Sequence, residues 1–131
     1  MIESNTFPVF PFPDNPADAD YCLFPVSLEN DDLVFFHGTA ESNLTSILNI
    51  GFAIPQSSPS ISFAKSSSLS LRYASEARCT ASPNGVVIAV RYSSIERPHI
   101  TQEAFGLHVY SFDEPPTIIG YCIVPQSYVF I

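Results

Sequence analysis

Two polar motifs follow or interrupt short apolar runs in this chain, and their residue types could bind a flat polar ligand. The first is His37-Gly38-Thr39, at the end of the apolar run 33–36. Histidine offers two ring nitrogens for hydrogen bonding, and glycine lets a ring approach the backbone because it has no side chain. Thr39 adds a hydroxyl that could bind the ligand or cap a following helix. The triplet therefore predicts a polar site at a strand end.

The second motif begins at segment 61–64, which reads Ile-Ser-Phe-Ala. Ser68, Ser70 and Tyr73 follow it on a predicted helix. A hydroxyl and an aromatic ring spaced in this way can present a hydrogen bond and a flat stacking surface to one ligand. Taken alone, Tyr73 could equally be a core aromatic of an amphipathic helix, so the two motifs have to be interpreted together.

Together the motifs resemble the NAD pocket of the ADP-ribosyltransferase superfamily, in particular its poly(ADP-ribose) polymerase branch. The resemblance covers about residues 33–130 and is strongest at 35–52 and 60–74. It implies that His37 binds the adenosine-side ribose and that the Gly38 backbone and Ser70 bind the nicotinamide carboxamide. It also implies that Tyr73 stacks on the nicotinamide ring. The NAD-binding residues implied are His37, Gly38, Thr39, Ser62, Phe63, Ser70 and Tyr73.

The chain departs from that family at two positions. Ser62 replaces the first tyrosine of the His-Tyr-Glu triad, and other branches of the superfamily also place serine on this strand. The family glutamate precedes an aromatic in the last strand, and segment 126–130 reads Gln-Ser-Tyr-Val-Phe in the matching place. Ser127 then takes the glutamate position, beside Gln126. Neither side chain carries the negative charge that stabilises a cationic sugar.

Other polar residues could take part in the chemistry or could be ordinary surface groups. Asp113 and Glu114, in the loop before the penultimate strand, could replace the missing carboxylate, and Glu103 is less well placed. His99 and His108 are interpreted as surface or strand histidines. The expected catalytic residues are therefore His37, Gln126, Ser127, Glu114 and Asp113.

The elements that must position these residues follow from hydrophobic patterning. The predicted strands are 33–37, 60–64, 86–92, 107–112, 117–124 and 127–131, and the predicted helices are 40–49 and 66–79. Gly51 is expected to end the first helix. Because most strands follow both helices, we expect an α+β class. The resemblance implies an ADP-ribosyltransferase-like fold of two packed, small, mixed or antiparallel sheets, with two helices in the N-terminal half.

The N-terminal region differs in composition from the rest of the chain. Residues 1–32 contain seven acidic residues, five prolines and no Lys or Arg, whereas residues 33–131 hold all five basic residues. Because proline removes a backbone donor, 1–32 is expected to be an extended acidic arm without regular elements, and 33–131 the ADP-ribosyltransferase-like domain. The phenylalanines of the arm favour packing on the domain, and a partner-binding arm is the alternative.

Composition and charge narrow the function classes. The net charge of −8 disfavours nucleic-acid binding, which needs cations for the phosphates. The chain has no apolar run of membrane-spanning length and no secretory signal pattern, so a cytoplasmic location, in the producing or a host cell, is expected. Three widely spaced cysteines favour free thiols over a metal site or disulfide. No metal cofactor is expected, and NAD would act as a substrate.

The resemblance implies a mono-ADP-ribosyltransferase, a glycosyltransferase that uses NAD to modify a protein and less readily a nucleic acid. Small size and acidity are compatible with a phage or bacterial effector or inhibitor. Three alternatives remain open at this point. They are a catalytically inactive module that binds NAD, ADP-ribose or a protein partner, an RNA 2′-phosphotransferase relative, and an interaction domain held by the aromatic arm.

Overall fold

The strands of this protein form one six-stranded antiparallel sheet, seen in a computed structural model that describes residues 7–54 and 56–129. The strand order is β4-β5-β2-β1-β3-β6. The strands are β1 Val34–Ala40, β2 Ile61–Ala64, β3 Gly85–Arg91, β4 Ile100–Glu103, β5 Gly106–Val109 and β6 Thr117–Val124. The helices are α1 Val26–Glu29, α2 Leu44–Ile50 and α3 Ser67–Ala77, with 3-10 turns at Pro16–Ala19 and Glu41–Asn43.

The α+β class is confirmed, and the expectation of two sheets is wrong. β1 and β2 pair at Phe36 and Ala64, which joins a β4-β5-β2 half and a β1-β3-β6 half into one sheet. β1 and β3, in contrast, pair along seven successive residues. The sheet is therefore continuous, and its weakest connection lies between the two strands that carry the polar motifs.

The central strand β3 explains why the sheet has a core on each face. Its residues 85–90 are buried, and its side chains alternate between two apolar clusters. Val86, Ile88 and Val90 pack with Phe35 and Phe63 on one face. On the other face, the remaining β3 side chains pack with α3. A strand covered on both faces has no polar alternation, which is why segment 86–92 gave the clearest strand signal in the sequence.

Residues 7–32 pack against the domain, as the phenylalanines of the predicted arm indicated. Phe24 is buried, and its ring lies 5.0 Å from that of Phe10. Phe10 N–H donates to the Tyr121 carbonyl at 2.8 Å, so this segment covers the β6 edge of the sheet. The expectation of no regular element is wrong in detail, because one-turn helices form at Pro16–Ala19 and Val26–Glu29. Residues 1–6 lie outside the described part.

Several element boundaries differ from the sequence predictions. Thr39 belongs to β1 and does not cap a helix, and its hydroxyl accepts a hydrogen bond from the Asn43 amide at 2.9 Å. Gly51 ends α2 with a φ of 100°, as predicted. Strand β4 was not predicted. In the predicted strand 127–131, residues 127–129 form no strand, and residues 130 and 131 lie outside the described part. Residue 55, in the predicted loop, also lies outside the described part.

Among the described residues, no helix combines the length and apolarity needed to cross a bilayer.

Candidate functional site

The sheet opens between β1 and β2 directly after their one pair, Phe36 with Ala64. Continuing this antiparallel register would place Gly38 opposite Ser62, but no such pair forms among the described residues. The opening therefore lies between the two motifs that the sequence singled out.

The backbone of Gly38 faces this opening. In an antiparallel strand, the N–H and C=O groups of successive residues point to opposite neighbours. Leu33 C=O accepts from Tyr92 N–H at 2.9 Å and Glu41 N–H donates to Asn84 at 3.0 Å, so odd-numbered residues face β3. The even-numbered Gly38 consequently directs its amide and carbonyl toward β2, into the opening. Such a pair of backbone groups matches the donor and acceptor of a carboxamide.

His37 bridges the opening. Its Nδ1 lies 2.9 Å from the Ser62 carbonyl oxygen, which can only accept, so Nδ1 carries the proton of this bond. The half-buried ring packs edge-on against Phe52, with centroids 5.4 Å apart, and lies tilted against Phe63, with centroids 5.5 Å apart. Burial lowers the pKa of His37 below its ordinary value, and the bond to Ser62 opposes that shift. The ring is therefore neutral at physiological pH, with Nε2 available as an acceptor.

The side of Gly38 that faces α3 has no free space. A Cβ at Gly38 would lie 2.1 Å from the Ser70 carbonyl oxygen and 2.9 Å from the Ala74 nitrogen. Glycine is required here because α3 packs directly on the β1 backbone. Ser70 lies in this interface, and its buried hydroxyl has no hydrogen-bond partner within 7–54 and 56–129. The two residues implied for carboxamide binding are therefore neighbours.

A cleft of about 470 Å³ adjoins the opening on the α3 side of the sheet. The cleft has one apolar wall from α3, in which Tyr73 is 47% exposed. A second apolar wall comes from the β4–β5 turn, in which Phe105 is 76% exposed. Exposed aromatic side chains around a concave surface are a common feature of ligand sites. Of the predicted site residues, Ser62, Phe63 and Tyr73 line this cleft.

Three polar side chains lie in a row in the cleft, Ser62, His108 and Glu103. Ser62 Oγ lies 3.1 Å from His108 Nδ1, and His108 Nε2 lies 3.9 Å from a Glu103 carboxylate oxygen. Ser62 and His108 are directly opposite each other on β2 and β5, which brings their side chains to one face. Ser62 thus contacts His37 through its carbonyl and His108 through its hydroxyl.

The sequence did not identify His108 and Glu103 as members of the site. His108 was interpreted as a surface or strand histidine, and Glu103 was ranked below two loop acids. The signal that could have found them is the hairpin 100–109, in which Thr101 pairs with His108 and Glu103 with Gly106. That hairpin was missed because β4 has three exposed residues out of four and lacks an apolar run.

The loop acids Asp113 and Glu114 are engaged elsewhere. Asp113 lies 2.8 Å from His99 Nε2, and Glu114 forms an ion pair with Arg97. The preceding Phe112 packs against Phe63 and Phe52, in the cluster on the other face of the sheet from α3. Neither acid lines the cleft.

Gln126 and Ser127 lie in a turn after β6, and both are exposed. The backbone N–H of Gln126 donates to Asn84 Oδ1 at 3.0 Å. The Arg78 guanidinium donates hydrogen bonds to the Pro125 and Tyr128 carbonyls and so holds this turn. Because β6 is the edge strand opposite the β4–β5 side, the structure does not bring these residues into the cleft.

The structure offers no metal centre within the described ranges, where no group of three or more His, Cys, Asp or Glu side chains could hold an ion. Cys22, Cys79 and Cys122 are free thiols. Burial raises the pKa of Cys122 to about 12, which makes it an unreactive core residue. The polar groups at the opening and in the cleft are backbone groups, hydroxyls, imidazoles and one carboxylate.

Comparison of the sequence with models of known protein families finds no match, and comparison with curated proteins finds no relative.

Proposed function

We propose that this protein is a mono-ADP-ribosyltransferase that uses NAD to modify a protein acceptor. The observation that carries the proposal is the opening between β1 and β2, into which Gly38 directs its amide and carbonyl. A nicotinamide carboxamide needs one acceptor and one donor of this kind. The neutral His37 ring packs against Phe52 and Phe63, on the other face of the opening from the cleft, and can supply an acceptor for a ribose hydroxyl there.

The adjoining cleft supplies the stacking surface that a nicotinamide ring requires. Tyr73 projects from α3 into the cleft and is half-exposed, so its ring is available for stacking. Phe105 on the β4–β5 turn contributes a second apolar wall. The apolar walls bind the ring, and the polar groups at the opening orient it.

Breaking the nicotinamide–ribose bond leaves a cationic sugar, which a nearby carboxylate stabilises. Glu103 is the acid that lines the cleft. Asp113 and Glu114 are paired with His99 and Arg97 instead. We therefore place the carboxylate of this reaction on Glu103, ahead of the two loop acids and of the uncharged Gln126 and Ser127.

Nicotinamide release from NAD labelled in its nicotinamide ring tests the proposal, with binding measured by calorimetry. Tyr73→Ala is expected to weaken NAD binding about tenfold, because it removes roughly 1.4 kcal/mol of stacking. Tyr110→Ala is the matched control, since Tyr110 is also 47% exposed but does not line the cleft. Equal losses in both variants would contradict the cleft as the NAD site.

Glu103→Gln is expected to slow nicotinamide release by about 10²-fold, because a neutral amide does not stabilise the cationic ribose. Glu96→Gln, an exposed acid outside the cleft, is expected to leave the rate unchanged. The double variant Asp113→Asn with Glu114→Gln completes the comparison. If nicotinamide release slows in the double variant and not in Glu103→Gln, the catalytic carboxylate belongs to the loop and not to Glu103.

A catalytically inactive module that binds NAD is the second candidate. The observation that favours it is the position of Gln126 and Ser127, away from the cleft and without charge. The same experiment separates the two candidates. The module binds NAD in the calorimeter and releases no nicotinamide.

A further inference from the structure

The contacts of His108 with Ser62 and Glu103 determine which of its ring nitrogens can act as a base. The negative charge of Glu103, 3.9 Å from His108 Nε2, favours the imidazole tautomer with its proton on Nε2. His108 Nδ1 is then the bare nitrogen, and the Ser62 hydroxyl donates to it at 3.1 Å. The site thus already holds a hydroxyl group against a nitrogen base.

We propose that His108 is the general base of this site and that the group it activates on the acceptor is a hydroxyl. The inference rests on the proposed function. In the step, the acceptor oxygen forms a bond to C1′ of the nicotinamide-side ribose while the C1′–nitrogen bond breaks. Nicotinamide leaves with the electron pair of that bond and becomes neutral. The hydroxyl proton passes to His108 Nδ1, and Glu103 stabilises the imidazolium.

Other acceptor classes fit these groups poorly. A guanidinium is positively charged and has no free lone pair until it loses a proton, so it is a poor nucleophile toward the cationic ribose. A carboxylate acceptor has no proton to give at neutral pH and would meet the negative charge of Glu103 in the cleft. A hydroxyl has a proton that must be removed during attack, and histidine is the side chain suited to that transfer near neutral pH.

Access to the base is compatible with an incoming acceptor. The His108 side chain is 38% exposed and the Glu103 side chain 51% exposed, and both residues line the cleft. An acceptor hydroxyl can therefore replace Ser62 as the partner of Nδ1, with a modest rotation of the serine side chain. The Glu103 carboxylate would then lie near both the acceptor and the ribose, because Glu103 lines the same cleft as His108.

The test uses small acceptors and needs no identified target. The full chain is incubated with NAD in the presence of methanol, agmatine or acetate as hydroxyl, guanidine and carboxylate probes. Nicotinamide, ADP-ribose and each adduct are then quantified by mass spectrometry. We expect O-methyl-ADP-ribose beside ADP-ribose, because water and methanol are both hydroxyl acceptors, and no agmatine or acetate adduct.

His108→Gln is expected to lower methanolysis and hydrolysis together by about 10²-fold while the Kd for NAD stays unchanged. Free imidazole should partly restore both reactions in His108→Ala, which a purely structural role would not allow. His99→Gln is the matched control, since His99 contacts Asp113 outside the cleft. Melting curves of all variants check that the fold is kept.

The outcomes separate this inference from the proposed function. Release of nicotinamide with agmatine as the main acceptor, or with undiminished methanolysis in His108→Gln, overturns the hydroxyl-base assignment alone. Absence of nicotinamide release from the unmodified chain overturns the transferase proposal and this inference with it.

Discussion

Replacing Gly38 by alanine is expected to lower the free energy of unfolding by roughly 3 kcal/mol and the Tm by roughly 10 °C. The added Cβ would lie 2.1 Å from the Ser70 carbonyl oxygen, and both this atom and the Ala74 nitrogen belong to helix backbone. Backbone atoms cannot turn away as a flexible side chain can, so α3 would have to move from β1. Thermal and urea unfolding of the two proteins measure the effect.

Gly51→Ala is the control for this substitution. Nothing lies within 4 Å of a Cβ at Gly51, but its φ of +100° disfavours a side chain, so we expect a loss of about 1 kcal/mol. A Gly38→Ala variant no less stable than Gly51→Ala would mean that α3 does not pack directly on β1. Because α3 carries Tyr73, any displacement of the helix should also weaken NAD binding.

His37→Ala is expected to reduce NAD binding and nicotinamide release by roughly two orders of magnitude, with a stability loss of only about 1–2 kcal/mol. The substitution removes the acceptor at the edge of the opening. It also frees the Ser62 carbonyl, which the Nδ1 proton of His37 now occupies at 2.9 Å. Gly38 N–H can then pair with that carbonyl and extend the β1–β2 ladder, which would close the opening.

Hydrogen exchange of the Gly38 amide checks this explanation directly. The amide should exchange more slowly in His37→Ala than in the unmodified chain, because it gains a strand partner. His99→Ala serves as the control, since it removes a partly buried imidazole outside the site. If melting temperature and NAD affinity fall in proportion, His37 is a structural residue and the ribose-binding role is wrong.

The elements predicted best from the sequence are those with strong local signals. β3 was predicted from an almost fully apolar run rich in β-branched residues, and α3 from the serines at its start and the spacing of its apolar residues. In the structure, Ser66 Oγ accepts from the Leu69 amide at 3.3 Å. The N-cap and the apolar run each act within a few residues of chain, so they can be predicted without knowledge of the partner strands.

The catalytic assignments of Gln126 and Ser127 depended on a last strand, and residues 127–129 form no strand. The family resemblance implied a last strand over segment 126–130, with Ser127 at the glutamate position. The described part of that segment is a turn held by Arg78 and Asn84, two strands away from β1. Alternation of apolar and polar residues predicts a strand only when a neighbouring strand is available to pair with it.

The sequence by itself determined the α+β class, β3 and α3, and the two motifs on either side of the opening. Their signals are local, because capping, apolar runs and glycine conformations act over a few residues. Only the tertiary structure decided which polar groups share the cleft. His108 contacts Ser62, 46 positions away in the sequence, because β5 pairs with β2. Glu103 lines the same cleft because β4 pairs with β5.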